Sequence, residues 1–147
     1  LGSAEFPSRV DVNDKRFLAP ANMEEAIRSF CHDTGQAVPR TLGESASCVY
    51  FSLAQSYAHG IRELSDLTGA TYTAVNIVGG GSQDGYLNQL TANASGLPVY
   101  AGPTEGTALG NLMVQMLAHG EFPDLSAARK AERQSFAIQE YFPENRA

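Results

Sequence analysis

Three consecutive glycines, Gly79-Gly80-Gly81, stand between a short apolar run, Ala74-Val75-Asn76-Ile77-Val78, and a stretch from Ser82 to Ser95 with helical spacing. This pattern constrains the fold more than any other feature of the chain. Glycines at a strand-to-helix corner permit positive φ and let another group come close to the main chain, and the helix start presents N–H groups that lack intrahelical partners. Such a corner serves as a nucleotide loop or as a tight connection and nothing more, and the loop by itself leaves both readings open.

The 147 residues, 43% of them hydrophobic, suffice for one compact core and make a single domain the default. Sixteen acidic against ten basic residues leave a net charge of −6, with no Lys/Arg cluster to track a phosphate backbone, so no nucleic acid partner is expected. No apolar stretch approaches the roughly 20 residues of a membrane span, and no membrane contact is expected either. Cys31 and Cys48 each fall in a predicted helix among apolar neighbours, without metal spacing, and read as buried free thiols. Free thiols and the lack of a signal peptide point to the cytoplasm. Leu1-Gly2-Ser3 has no initiator Met and reads as a cleavage scar or an internal cut, so the chain is expected to be a fragment.

Residues 1–20 show no period and contain Pro7 and a polar run from Asp11 to Arg16; they read as an extended lead-in whose order no pattern supports. A helix is predicted from Asn22, with Glu25 placed as in a capping box, Ile27, Phe30 and Cys31 on one face, and Gly35 as its stop. Thr41-Leu42-Gly43-Glu44 is a second box, and Val49, Tyr50, Leu53, Tyr57, Ile61 and Leu64 continue that helix to Gly69. After the glycine loop, Leu87, Leu90 and Ala94 line a helix that ends at Gly96, and Leu97 to Ala101 forms a second strand candidate. Gly102-Pro103 turns the chain into a helix from about Thr104 to His119, with Leu109, Leu112, Met113, Met116 and Leu117 as its core stripe. A shorter helix near Ser126 to Gln134 and an aromatic tail with Phe136, Tyr141 and Phe142 complete the chain. Alternating strands and helices indicate parallel α/β organisation, in which ligands gather at the carboxyl ends of strands. Two strands do not make a stable sheet alone, so further strands are expected in a parent chain or a partner.

Familiar phosphate motifs do not fit. A P-loop needs a Lys-Ser/Thr pair at the head of the helix, and no Lys follows the glycines. A dinucleotide fingerprint needs a third Gly where Asp84 stands, and an acid after the second strand where the chain has Ala101-Gly102-Pro103. There remains a backbone cradle for adenine, ribose or the first phosphate of a nucleotide. His32, His59 and His119 are scattered over separate helices without ligand spacing, and no metal site is expected from them. Glu24-Glu25 lies at a helix start, where the macrodipole favours acids, and reads as solvated rather than catalytic.

Two segments at a characteristic separation carry a family likeness. Ile77-Val78-Gly79-Gly80-Gly81-Ser82-Gln83 with Leu87-Asn88-Gln89-Leu90, followed by Ala101-Gly102-Pro103-Thr104-Glu105-Gly106-Thr107-Ala108-Leu109-Gly110-Asn111, resembles the C-terminal domain of the FGGY carbohydrate kinases. Within that family the chain is most similar to the branch acting on L-rhamnulose. Asp14 to Pro20, Thr34-Gly35-Gln36 with Val38-Pro39, and Ser52-Leu53-Ala54 agree in the same order, and the likeness runs from about Val10 to Phe142.

The resemblance implies an α/β fold, part of an actin-like ATPase (ribonuclease H-like) domain, here a helix-rich fragment with few strands. Residues 21–147 would form the C-terminal part of the nucleotide-binding domain. It implies transfer of the γ-phosphoryl group of ATP to L-rhamnulose, giving L-rhamnulose 1-phosphate. Fuculose and xylulose kinases of the family share the glycine motif and are the alternative, as is a non-catalytic interaction module. Gly79, Gly80 and Gly81 are the implied adenosine-binding positions, with Ser82, Gln83 and Asp84 beside them. Where the family usually has Asn, this chain has Asp84, which cannot donate when ionised; an acid in the first turn of a helix is equally explained by the macrodipole. Glu105 reads as a helix-terminus carboxylate rather than a general base. Thr107 and Asn111 are expected to hold the glycine loop by side-chain bonds or to be plain surface groups. The implied cofactors are ATP and Mg2+, the latter held mainly by parts outside this chain. The implied partners are the N-terminal portion of the same kinase and, through the missing domain, the sugar. The catalytic base belongs to that missing portion, no catalytic residue is expected in this chain, and the chain alone is expected to be inactive.

Overall fold

The computed structural model describes residues 5–144, so Leu1-Gly2-Ser3 lies outside the described residues. Two compact units divide at Ala70 and Thr71. The first holds two helices, α1 (Met23–Asp33) and α2 (Leu42–Thr68). Asn22 starts α1 by accepting the Glu25 N–H at 3.2 Å. Thr41 and Glu44 form a complete capping box at α2, where the Glu44 carboxylate accepts the N–H groups of Arg40 and Thr41 and is thereby held below its usual range. Gly69 closes α2 in the left-handed conformation.

Residues 5–20, the described part of the lead-in, are held by long-range hydrogen bonds. The chain there is extended, and its polar backbone is satisfied by distant side chains: Phe6 N–H donates to Ser47 Oγ at 3.0 Å and Val10 N–H to Ser52 Oγ at 2.9 Å. Gln36 accepts from Arg9 N–H and donates back to the Arg9 carbonyl, both at 2.9 Å. A short 3-10 helix, Lys15–Phe17, follows. Val10 then joins Ile27, Phe30, Cys31 and Cys48 in the core of this unit, with Phe6, Val12, Phe17, Val38 and Val49 packed around it. Both cysteines are free and buried, as expected, and burial pushes the Cys48 thiol up to about 11, with neighbouring Cys31 adding to the rise.

The second unit is a βαβ element with additions. Strand β1 (Val75–Ile77) leads through the glycine loop to α3 (Gly85–Ser95) and then to β2 (Val99–Ala101). Helices α4 (Gly106–Ala118) and α5 (Leu125–Ser135) follow, and β3 (Gln139–Tyr141) ends the unit. The sheet order is β1-β2-β3, parallel between β1 and β2 and antiparallel between β2 and β3. The third strand lies in the stretch read as an aromatic tail, so the sheet is mixed rather than purely parallel. Leu90, Ala92, Val99 and Ala101 are buried here. The expected core stripe of α4 is not buried in this chain: no residue of that helix is, and Leu112 and Val114 are 52% and 64% exposed.

Candidate functional site

The parallel register sets Val75 opposite Val99 and Ile77 opposite Ala101, so the carboxyl ends of β1 and β2 open side by side. The two exits are stitched together by backbone bonds. Gly102 N–H donates to the Ile77 carbonyl at 2.8 Å, and Gly79 N–H donates to the Pro103 carbonyl at 3.1 Å. The Gly102–Pro103 peptide is cis.

Gly79 adopts φ 80° and ψ −165°, a region closed to side-chain-bearing residues, and this lets β1 turn sharply out of the sheet. Gly80–Gln83 then forms a 3-10 turn in which Ser82 bonds twice to the Gly79 carbonyl, through its N–H at 3.0 Å and its hydroxyl at 2.7 Å. Above Gly80 and Gly81 the space is open, with no atom within 4 Å of where a Cβ would stand. The main chain of Gly80 and Gly81 is therefore open to close approach from solvent.

Asp84 closes the turn and starts α3 by accepting the Leu87 N–H at 3.1 Å. Glu105 stands at the cap position of α4 with its side chain exposed and without a capping bond. Gly106 brings α4 against the exit of β1: a Cβ there would stand 2.9 Å from Val78 Cβ.

The structure thus gathers Gly79, Gly80, Gly81, Ser82, Gln83 and Asp84 into one loop beside the turn that carries Glu105. Thr107 and Asn111 are exposed on α4, and Asn111 accepts from Gln115 at 3.2 Å; among the described residues neither side chain bonds the glycine loop. The loop is held instead by Ser82 and by Asn88, whose amide donates to the Ser82 carbonyl at 3.0 Å from a fully buried position. No sequence signal marks Asn88, because an amide within a helix has no spacing that separates a clamp from an ordinary polar residue. Among the described residues no cluster of three or more His, Cys, Asp or Glu could hold a metal ion, and no helix is long and apolar enough to cross a membrane.

Residues 4–119 match the family described as the FGGY family of carbohydrate kinases, C-terminal domain. The chain belongs to that family. The chain is 46% identical over 140 residues to a rhamnulokinase of Bacillus subtilis, covering 95% of this chain and 29% of that protein. Rhamnulokinases of Halalkalibacterium halodurans and Enterococcus faecalis are 43% and 45% identical, covering 96% and 92% of this chain and 30% and 28% of theirs. The chain spans about three tenths of the length of these FGGY relatives, and both loops described above fall within the matched residues.

Proposed function

We propose that this chain is the adenosine-binding end of an ATP-dependent sugar kinase that converts L-rhamnulose to L-rhamnulose 1-phosphate. The observation that carries this reading is the pair of stitched loops at the parallel strand ends, lying on the two motifs shared with the family. The rhamnulokinase relatives supply the choice of sugar. ATP provides the phosphoryl group, and the main chain of Gly80 and Gly81 receives its adenosine part, with Ser82, Gln83 and Asp84 at the margin of the cradle. Glu105, Thr107 and Asn111 frame the neighbouring helix start without touching the reacting atoms. The catalytic base, the sugar contacts and the Mg2+ ligands lie in the N-terminal portion of the same kinase, which completes an actin-like ATPase domain around this chain in the cytoplasm. Catalysis then rests on positioning ATP and sugar across a closing cleft.

The test is direct. The full-length protein, supplied with ATP and Mg2+, should phosphorylate L-rhamnulose in preference to L-fuculose and D-xylulose, and the 147-residue chain alone should phosphorylate none of them. A preference for either other ketose, or turnover by the isolated chain above background, would overturn the reading.

A further inference from the structure

We propose that Asn88 is a positioning residue for nucleotide binding, acting through the carbonyl of Ser82 to hold the glycine loop in its receptive shape. The proposal rests on the reading of that loop as the adenosine site. Asn88 is 0% exposed in the body of α3, where an apolar side chain would pack without cost. Among the described residues its amide makes one bond, Nδ2 donating to Ser82 O at 3.0 Å, and its Oδ1 is buried without a partner. The assignment of the two amide ends follows from chemistry, since the Ser82 carbonyl can only accept. A half-satisfied buried amide is poor core material, so the position is better explained by what the bond holds than by packing.

What it holds is a relay. Ser82 is itself 6% exposed and bonds through its hydroxyl to the Gly79 carbonyl at 2.7 Å; the Gly79 N–H in turn bonds to Pro103 O at 3.1 Å. Asn88 therefore ties the rigid interior of α3 to the glycine turn and, through Gly79, to the second loop. Released from it, the 3-10 turn at Gly80–Gln83 loses the contact that anchors its buried side to α3, and the open face above Gly80 and Gly81 is no longer fixed in one geometry. The cost should fall on nucleotide affinity, because the one side-chain bond given for the residue goes to the loop read as the adenosine site.

The experiment uses the full-length protein with two variants, Asn88→Asp, which keeps the shape and loses the donor, and Asn88→Ser, which is small, uncharged and too short to reach. Both should raise KM for ATP by about tenfold, the scale of one buried hydrogen bond, with kcat and the KM for sugar held within about twofold. In Asn88→Asp the ATP defect should shrink, relative to wild type, as the pH is lowered from about 8 to about 6, because a buried carboxyl protonates in that range and regains a donor for Ser82. Normal KM for ATP in both variants, with only a lowered melting temperature, would assign Asn88 to the core and overturn the proposal, as would failure of both variants to fold. Hydrogen exchange of the wild-type peptide covering Gly79–Gln83, with and without ATP, separates the two ideas. No protection by ATP removes the adenosine reading and this proposal with it, whereas protection combined with normal variants removes this proposal alone.

Discussion

The Asp84 carboxylate accepts the Leu87 N–H, so it begins α3 and at the same time places a negative charge at the end of the glycine loop. Asn caps a helix as well as Asp does, whereas Ala costs about 1 kcal/mol. Asp84→Asn should therefore leave the urea midpoint nearly unchanged while Asp84→Ala lowers it. Calorimetric titration should show ATP binding to full-length Asp84→Asn tighter by about 1 kcal/mol, since the amide adds a donor and removes repulsion of the phosphates. Unchanged affinity would mean that Asp84 serves its helix alone. Cys48 offers a second residue-level test, through pH. Its thiol, raised to about 11 by burial and by Cys31, keeps its proton where an unfolded thiol near about 8.5 loses it. The unfolded state thus binds fewer protons across that window, and stability must fall as the pH rises through it, by up to about 1.4 kcal/mol per pH unit. Below the window this group contributes no slope. Urea midpoints measured across it should show the decline, and Cys48→Ala should flatten it.

Helix α4 meets the exit of β1 through a residue without a side chain, and this contact sets where the two loops sit. A methyl group at Gly106 would press on Val78 Cβ at 2.9 Å and on its two γ carbons at 3.4 and 3.5 Å, so Gly106→Ala should cost about 1–3 kcal/mol by overpacking. Gly110 lies in the same helix with open space around it, and there Ala should stabilise by about 0.5–1 kcal/mol. Denaturant midpoints moving in opposite directions for the two variants would confirm that the contact, not helix propensity, decides. The same contrast between local and long-range causes explains what was legible in the sequence. Asn22, Thr41, Glu44 and Gly69 act within a few residues of themselves, and the helix boundaries they predict match the structure closely. The lead-in was illegible because the bonds that hold it come from Ser47 and Ser52, about forty residues away along the chain. Strand β3 shows only one half-buried residue, Tyr141, and its Gln139-Glu140 pair carries no apolar alternation to read. The glycine loop was plain, yet Asn88 was not, since an amide in a helix has no spacing signature that distinguishes a clamp from an ordinary polar residue.

The second unit carries apolar surface that its own chain leaves exposed. Helix α4 contains no charged residue, buries none of its side chains, and exposes Leu112 and Val114 by more than half; Val78, beyond β1, is 57% exposed. Among the described residues β1 also has no strand on its outer edge, so its backbone groups there are available for pairing. An uncharged helix that leaves Leu112 and Val114 more than half exposed is suited to an interior on that face, with Thr107, Asn111 and Gln115 as its polar stripe, and the family relatives, more than three times as long as their matched segment, have the length to provide one. The net charge of −6 opposes contact between two copies, but at physiological salt such repulsion is screened within about 8 Å, whereas apolar burial acts at contact. The isolated 147-residue chain should therefore self-associate, with a weight-average mass that rises with concentration in sedimentation equilibrium. Leu112→Glu should shift that curve toward monomer by placing a charge on the exposed apolar face. A strictly monomeric wild-type chain over a wide concentration range would show that α4 tolerates water as it stands, and an unmoved curve in the variant would transfer the association to the free edge of β1.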